Sequence, residues 1–321
     1  MIDAIHRARR PLVLSHRDSD ADSLGSALAL GGAFAQLGAE AVLAVHQPDR
    51  ITPPLNELPG ADGVVALTAA LGAADRDMVF VVDTASPALL GGEPSARDAL
   101  LSDRPVVNID HHDSNQHYGA VNYVETAAAA TAEVLWGLLT EARIPLTADM
   151  AINLQAGLVG DTLGFQIADT SPRTLRAAAG LLEAGGATHG LPRRVLNART
   201  IAATRLYGAA LAAVQATADG RIVWTCVTQA MAASVEASVH YSHGLPNALQ
   251  EIVGAEIAAV FYELGPERTR ASLRSTGRPI REVAEEYGGG GHQLAAGLTI
   301  QQPIQVAQQL VIGRLQALLG A

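Results

Sequence analysis

The string Asp110-His111-His112 closes the apolar run Pro105-Val106-Val107-Asn108-Ile109. Three side chains that can bind metal or move protons stand in a row there. A buried core has no use for them, because each polar group removed from water needs its own partner. A short β-branched run ending in a polar cluster reads as a parallel strand reaching a crevice, the place where open α/β sheets bind ligands. Three other segments share this character: His16 to Asp22, with Asp20 and Asp22, follows the apolar residues 11–15; Asp83 follows residues 78–82; Asp161 lies in Gly160-Asp161-Thr162-Leu163-Gly164. Hard divalent ions take carboxylate oxygen, and imidazole adds affinity for Mn²⁺, Fe²⁺ or Zn²⁺. Four Asp and two His suffice for two octahedral ions that share a bridging carboxylate, a site that clamps the attacking and leaving oxygens of a phosphoryl displacement. Each residue alone has a plainer reading. Asp20 and Asp22 could cap a helix starting near Ser23, Asp83 could be a turn residue, and His16 a hydrogen-bonded strand end. Their joint occurrence at strand ends favours the chemical reading.

The elements that must position these residues alternate. Strands are predicted at residues 11–15, 41–45, 62–67, 78–82 and 106–109, and helices at 23–37, 127–142 and 148–159. Alternating β and α segments imply a parallel sheet with helices on both faces. Residues 172–218 read as mostly helical, broken at Gly185-Gly186 and Pro192, and a second unit follows. Its strands are predicted at 221–227, 255–263 and 268–275, its helices at 231–238, 279–287 and 302–319. The expected organisation is an α/β chain. An N-terminal doubly wound, mostly parallel sheet over residues 1–185 is joined by a helical linker, 186–218, to a smaller mixed α/β domain, 219–321, with the active site in the interdomain cleft.

The second unit has its own constellation. Ser272 and Arg274 alternate on a strand and so share a face. The run Gly288-Gly289-Gly290-Gly291-His292 follows a helix and is expected to open another. Glycines let backbone N–H groups approach an anion, a helix N-terminus favours negative charge, and His292 adds a donor. His240 and His243, flanking Tyr241, read as loop surface, and Cys226 as a small buried hydrophobe.

Composition sets limits. The 321 residues suit two domains, and the 49% hydrophobic content allows a sizeable core built from Ala, Leu and Val, since aromatics are only 4%. No apolar stretch reaches the ~20 residues of a membrane span, no signal-peptide core is seen, and the single cysteine rules out an internal disulfide framework. A cytoplasmic location follows as the expectation. The net charge of −10 gives no global basic field for long nucleic acid. All 22 basic residues are arginine.

In order along the chain these motifs resemble the DHH phosphoesterase superfamily. His16, Asp20-Ala21-Asp22 and Gly25-Ser26 resemble its first motif, His-x-x-Pro-Asp-Gly-Asp-x-x-Gly-Ser, with Ser19 and Ala21 in place of the usual Pro and Gly. Asp83, Asp110-His111-His112 and Asp161-Thr162 resemble the second to fourth, and Ser272 to Ser275 with Gly288 to His292 resemble the DHH-associated C-terminal domain. Size and C-terminal motif look most like the stand-alone nanoRNase type. The resemblance implies a two-metal phosphoesterase that degrades very short single-stranded oligonucleotides and removes a phosphate from 3′-phosphoadenosine 5′-phosphate. Some relatives cleave linear or cyclic dinucleotides, and RecJ-like exonucleases share both domains. His16, Asp20 and Asp83 would hold one Mn²⁺ (Mg²⁺ a substitute), and Asp22, Asp83, His111 and Asp161 the other. His112 would contact the scissile phosphate, with Asp110 orienting the histidines. Ser272, Arg274, Gly289, Gly290, Gly291 and His292 would grip the far end of the substrate. A homodimer is compatible with the sequence.

Overall fold

Val79-Phe80-Val81-Val82 is buried at every position, which requires cover on both faces of its sheet. The computed structural model describes residues 1–51, 53–71, 75–187, 190–239 and 244–320. His189, His240, Tyr241 and His243 lie outside them. The chain forms two compact units, Met1–Ala198 and Arg199–Ala321.

The first unit runs α1 (Ile2–Arg7), β1 (Leu12–Leu14), α2 (Ala21–Gln36), β2 (Val42–Val45), β3 (Val65–Ala66), α3 (Leu67–Leu71), β4 (Val79–Val82), α4 (Pro94–Ser102), β5 (Val106–Asp110), β6 (Val121–Val124), α5 (Thr131–Glu141), α6 (Ala148–Asp161), α7 (Pro172–Glu183) and α8 (Leu191–Asn197). Its six strands lie in the order β3-β2-β1-β4-β5-β6, all parallel. Alternate residues of each central strand enter opposite layers. Val13, Phe80, Val82 and Ile109 join α2, α5 and α6 on one face. Leu12, Leu14, Val79 and Val81 join α3 and α4 on the other. The strand order reverses between β1 and β4, and crevices at such reversals are where open sheets bind ligands.

The second unit runs α9 (Ile201–Ala212), β7 (Gln215–Ala216), β8 (Ile222–Val227), α10 (Gln229–Ser234), α11 (Leu245–Gln250), β9 (Ile257–Gly265), β10 (Arg268–Ser275), α12 (Arg281–Glu285), β11 (Gly290–His292), β12 (Ala295–Ile300) and α13 (Ile304–Leu319). Its mixed sheet has the order β11-β12-β10-β9-β8-β7. One face packs on α12 and α13, and the β8–β9 part of the other on α9, α10 and α11. Of residues 186–218, α8 packs on α6 in the first unit and α9 on β8 in the second. Among the described residues no helix is long and apolar enough to cross a membrane.

Three local readings are corrected. Ala127 to Ala130 is a turn ahead of α5, buried from Ala128 on, and not the first turn of that helix. The backbone there bonds outward: the Ala128 carbonyl faces His111 Nδ1 at 3.2 Å and the Ala129 N–H donates to Glu133. The glycine run does not open a helix. Gly290–His292 is an edge strand in a hairpin with β12, a strand that the small residues Ala295-Ala296-Gly297 concealed. Gly291 has φ +134° and lies so close to β12 that a Cβ would meet the Ala295 carbonyl oxygen at 2.5 Å. β6, a half-exposed edge strand, is also additional to the predicted set.

Candidate metal centre and substrate face

His16, Asp83 and Asp110-His111-His112 stand at the carboxyl ends of β1, β4 and β5, on either side of the strand-order reversal. Asp20 is the N-cap of α2. One oxygen accepts from the Ser23 N–H at 3.0 Å, and the other lies 3.6 Å from His16 Nε2. Capping and site roles thus coexist in one carboxylate. Asp22, in the first turn of α2, is fully buried, and its oxygens accept the Thr131 and Ala132 N–H groups at 2.6 and 2.9 Å. Those amides open α5, where the helix dipole favours an anion. Asp161 ends α6 and reaches the same place from the side.

Asp83 sits at the centre. Its backbone is left-handed, φ +52°, a conformation that Asp tolerates better than most residues and that clusters at functional sites. One carboxylate oxygen faces His16 Nε2 at 3.4 Å; the other faces His111 Nε2 and His112 Nδ1 at 3.7 Å and accepts from the Thr131 hydroxyl at 2.9 Å. His111 Nε2 is also 3.3 Å from Asp161. Three groups of donors therefore converge within 4.8 Å of one another: His16, Asp20 and Asp83; Asp22, His111 and Asp161; Asp83, His111 and His112.

The electrostatics suit cations. Burial, then the charges of Asp83 and Asp161, pushes Asp22 well above the usual carboxylate range. Burial, with Asp20 and Asp83 nearby, lifts Asp161 to about 6 against the pull of its His111 bond. Burial alone would lower His111, but the Asp161 bond and the charges of Asp83, Asp161 and Asp22 raise it to about 11. Like charges crowded in a low dielectric repel unless positive charge joins them. The Ala128 carbonyl fixes the His111 tautomer by accepting from Nδ1, which turns the Nε2 lone pair toward the carboxylates, the orientation a ligating imidazole needs. This donor set of carboxylates and imidazoles fits divalent ions.

Asp110 is fully buried and belongs to none of those three donor groups. It accepts from His112 Nδ1 at 2.8 Å, from the His111 N–H at 2.8 Å and from Asn115 at 2.6 Å. It thus holds the His112 ring directly and His111 through the backbone. Burial opposes charge on His112, but the Asp110 bond and Asp83 outweigh it and raise its pKa.

Several supporting residues were not singled out from the sequence. Asn115 bridges Asp110 and Asn108, the latter anchored to the Val81 and Thr84 carbonyls. Glu133, fully buried, accepts from Ala129 N–H and the Thr174 hydroxyl and pairs with Arg173, which also grips Glu125, pinning the turn behind His111. A signal existed: Asn108 inside an apolar strand and Glu133 inside an apolar helix must each be buried with partners. Gly157 is demanded by contact, since a Cβ there would lie 2.6 Å from Asp22 Oδ1 and 3.0 Å from its Cα. Gly157→Ala is therefore expected to displace Asp22. Mn²⁺ affinity should drop by about 10–100-fold and stability by about 1–3 kcal/mol, read by titration calorimetry and thermal melting; an unchanged affinity would take Asp22 out of the centre.

Residues 10–158 match the DHH family, N-terminal domain, and residues 228–316 match the DHHA1 domain. The chain carries a DHH N-terminal domain followed by a DHHA1 domain, and it is a hydrolytic enzyme of the nuclease or phosphatase kind. Over 299 residues it is 29% identical to the bifunctional oligoribonuclease and PAP phosphatase NrnA of Thermus thermophilus, covering 90% of this chain and 83% of that relative. An exopolyphosphatase-related protein from Bacteroides fragilis shares the fold at a TM-score of 0.88 and 21% identity, covering 99% of this chain and 95% of that one. RecJ from Thermus thermophilus in complex with Mn²⁺ aligns at a TM-score of 0.53 and 16% identity, over 98% of this chain and 53% of RecJ.

In the DHHA1 domain, strand pairing sets the remaining site candidates in two cross-strand rows. Arg274 pairs with Ala295, and Ala295 with His292; Ser272 pairs with Gly297, and Gly297 with Gly290. Paired residues point to the same side, so Arg274, His292, Ser272 and Gly290 share one sheet face. Gly290 has open space where a Cβ would be, so its small size serves no packing need. Gly289 and Gly291, by contrast, are held by close contact with β12. Arg274 donates to Asn247 Oδ1 at 3.1 Å and to the Leu273 carbonyl at 2.9 Å, which fixes the guanidinium. Burial lowers its pKa, helped by Arg270.

Proposed function

We infer that this DHH phosphoesterase uses two divalent ions, Mn²⁺ or Mg²⁺, to hydrolyse short oligonucleotides to mononucleotides and 3′-phosphoadenosine 5′-phosphate to AMP. The observation that carries the reading is Asp83, one oxygen toward His16 and the other toward His111. That is what a carboxylate shared by two adjacent cation sites must do. His16, Asp20 and Asp83 would hold one ion, and Asp22, Asp83, His111 and Asp161 the other. Bound ions would supply an activated water and neutralise phosphoryl charge. His112, its Nδ1 occupied by Asp110, would present Nε2 as a donor to a phosphoryl oxygen, and the Asp110 bond that raises its pKa favours the protonated ring. Arg274, Ser272, Gly290 and His292 would bind the far end of the substrate, Arg274 as a rigid anion clamp. The NrnA relative supports the substrate pair, and the acidic net charge argues against long strands.

The test is a Mn²⁺-supplemented assay on an RNA ladder from two to about twenty nucleotides, chosen around the ~4–16 of a typical single-strand site, with 3′-phosphoadenosine 5′-phosphate alongside. Fast conversion of the shortest species, fading with length, is expected. Efficient attack on the longest strands would replace this reading with a processive exonuclease.

A further inference from the structure

The face that carries Arg274 and Ser272 continues along β10 beyond both. Arg270 is two residues before Ser272 and points to the same side; it is exposed, whereas Ser272 and Arg274 are half-buried. Its cross-strand neighbours complete a third row, with Tyr262 on β9 and Thr299 on β12. Four residues of strand separate Arg270 from Arg274 by about 13 Å, so two long side chains rising from those points serve two anions rather than one. Among the described residues neither arginine has a carboxylate at ion-pair distance. Two guanidinium groups on one face with no acidic partner form a positive track, in a chain whose net charge is −10. Between them the strand bears only Ser272 on that side, flanked by Gly297 and Gly290. Gly290 meets nothing within 4 Å on its open side, and Gly297 meets only the Ala271 carbonyl oxygen, at 3.7 Å. On the β12 and β11 side the surface between the arginines is therefore low, whereas on the β9 side Ser272 pairs with Val260, buried beneath the helices. Tyr262, half-buried opposite Arg270, adds an aromatic ring beside the track, and bases stack on such rings without regard to sequence.

We propose that Arg270, with Tyr262 and Thr299 beside it, forms an outer subsite that binds the phosphate of an additional nucleotide beyond the one held at Arg274. The inference rests on the reading of the chain as a phosphoesterase of short oligonucleotides and sharpens it. The face discriminates by length, and a trinucleotide gains a contact that a dinucleotide or 3′-phosphoadenosine 5′-phosphate does not reach.

The experiment compares the full-length chain with Arg270→Gln and Arg274→Gln on three substrates: 3′-phosphoadenosine 5′-phosphate, a 5′-phosphorylated RNA dinucleotide and the matching trinucleotide. For Arg270→Gln the trinucleotide KM should rise about tenfold, as for a lost charge-assisted hydrogen bond, with kcat held and the other two substrates within about twofold. The slope of log affinity against log salt for the trinucleotide should fall in magnitude by about 0.7. Arg274→Gln should raise KM for all three. Arg270 is exposed, so the melting temperature should not move. Turnover of all three substrates with an unchanged trinucleotide KM in Arg270→Gln, or equal losses on all three, would overturn the outer subsite alone. If the unaltered chain turns over none of them, the parent reading falls and this inference with it.

Discussion

Asp83→Asn should lower kcat on 3′-phosphoadenosine 5′-phosphate by about 10³-fold or more, since a metal site contributes several kcal/mol of transition-state charge stabilisation. KM should change little, because the substrate is expected to be gripped elsewhere. The substitution isolates charge from shape. Asn is one of the few residues that accepts the left-handed backbone found at this position, and its side-chain oxygen can still accept from the Thr131 hydroxyl. What disappears is the negative charge between His16 and His111. Metal content by mass spectrometry, measured beside turnover, should fall below that of the unaltered chain. Full activity in the variant would remove Asp83 from the centre and take the two-ion reading with it.

Mn²⁺ affinity should rise steeply with pH. Asp161 titrates near 6 and His111 near 11 in the metal-free chain, and a metal takes the carboxylate and the neutral imidazole. Binding must therefore expel protons, and each proton expelled steepens affinity by up to about tenfold per pH unit. Between about pH 5 and pH 7, where His111 gives up a proton throughout and Asp161 up to about pH 6, the gain should reach about a thousandfold. The stability sign agrees. Asp161 is an acid whose pKa is raised on folding, so the stability it contributes is present at low pH and is lost as pH rises through about 6. Added Mn²⁺ should consequently raise the melting temperature more above that range than below it. Titration calorimetry in buffers of different ionisation enthalpy reads the proton release directly. A flat affinity across this range would exclude His111 and Asp161 as ligands.

The central strands were legible because a parallel strand covered on both faces must be apolar throughout. Residues 78–82 and 106–109 announced themselves in this way, and the polar residues at their ends had nowhere else to be than the sheet's edge. The edges were harder to read. β6 is half-exposed, and β12 begins with Ala-Ala-Gly, so their strand state comes from pairing partners and not from side-chain preference. Ala127 to Ala130 misled for a related reason. Alanine favours helix, but tertiary bonds to His111 and Glu133 draw the backbone off that course. The glycine run was recognised as special, yet its strand form depends on the closeness of β12, which no local pattern contains. Asn115 and Thr131 were invisible as supports because their roles exist only once distant segments meet.

That meeting has a consequence for how the domain comes into being. Asp22 gains its bonds only when α5 is in place, and its neighbours His111 and Asp161 come from just beyond β5 and from the last turn of α6. These contacts span most of the first unit's length, and such long-range closure is paid late in folding. A chain emerging from synthesis would carry four aspartates and two histidines with no geometry until α6 docks. Uptake of a divalent ion at this centre would then coincide with the final consolidation of the domain, and a bound ion would report completed folding.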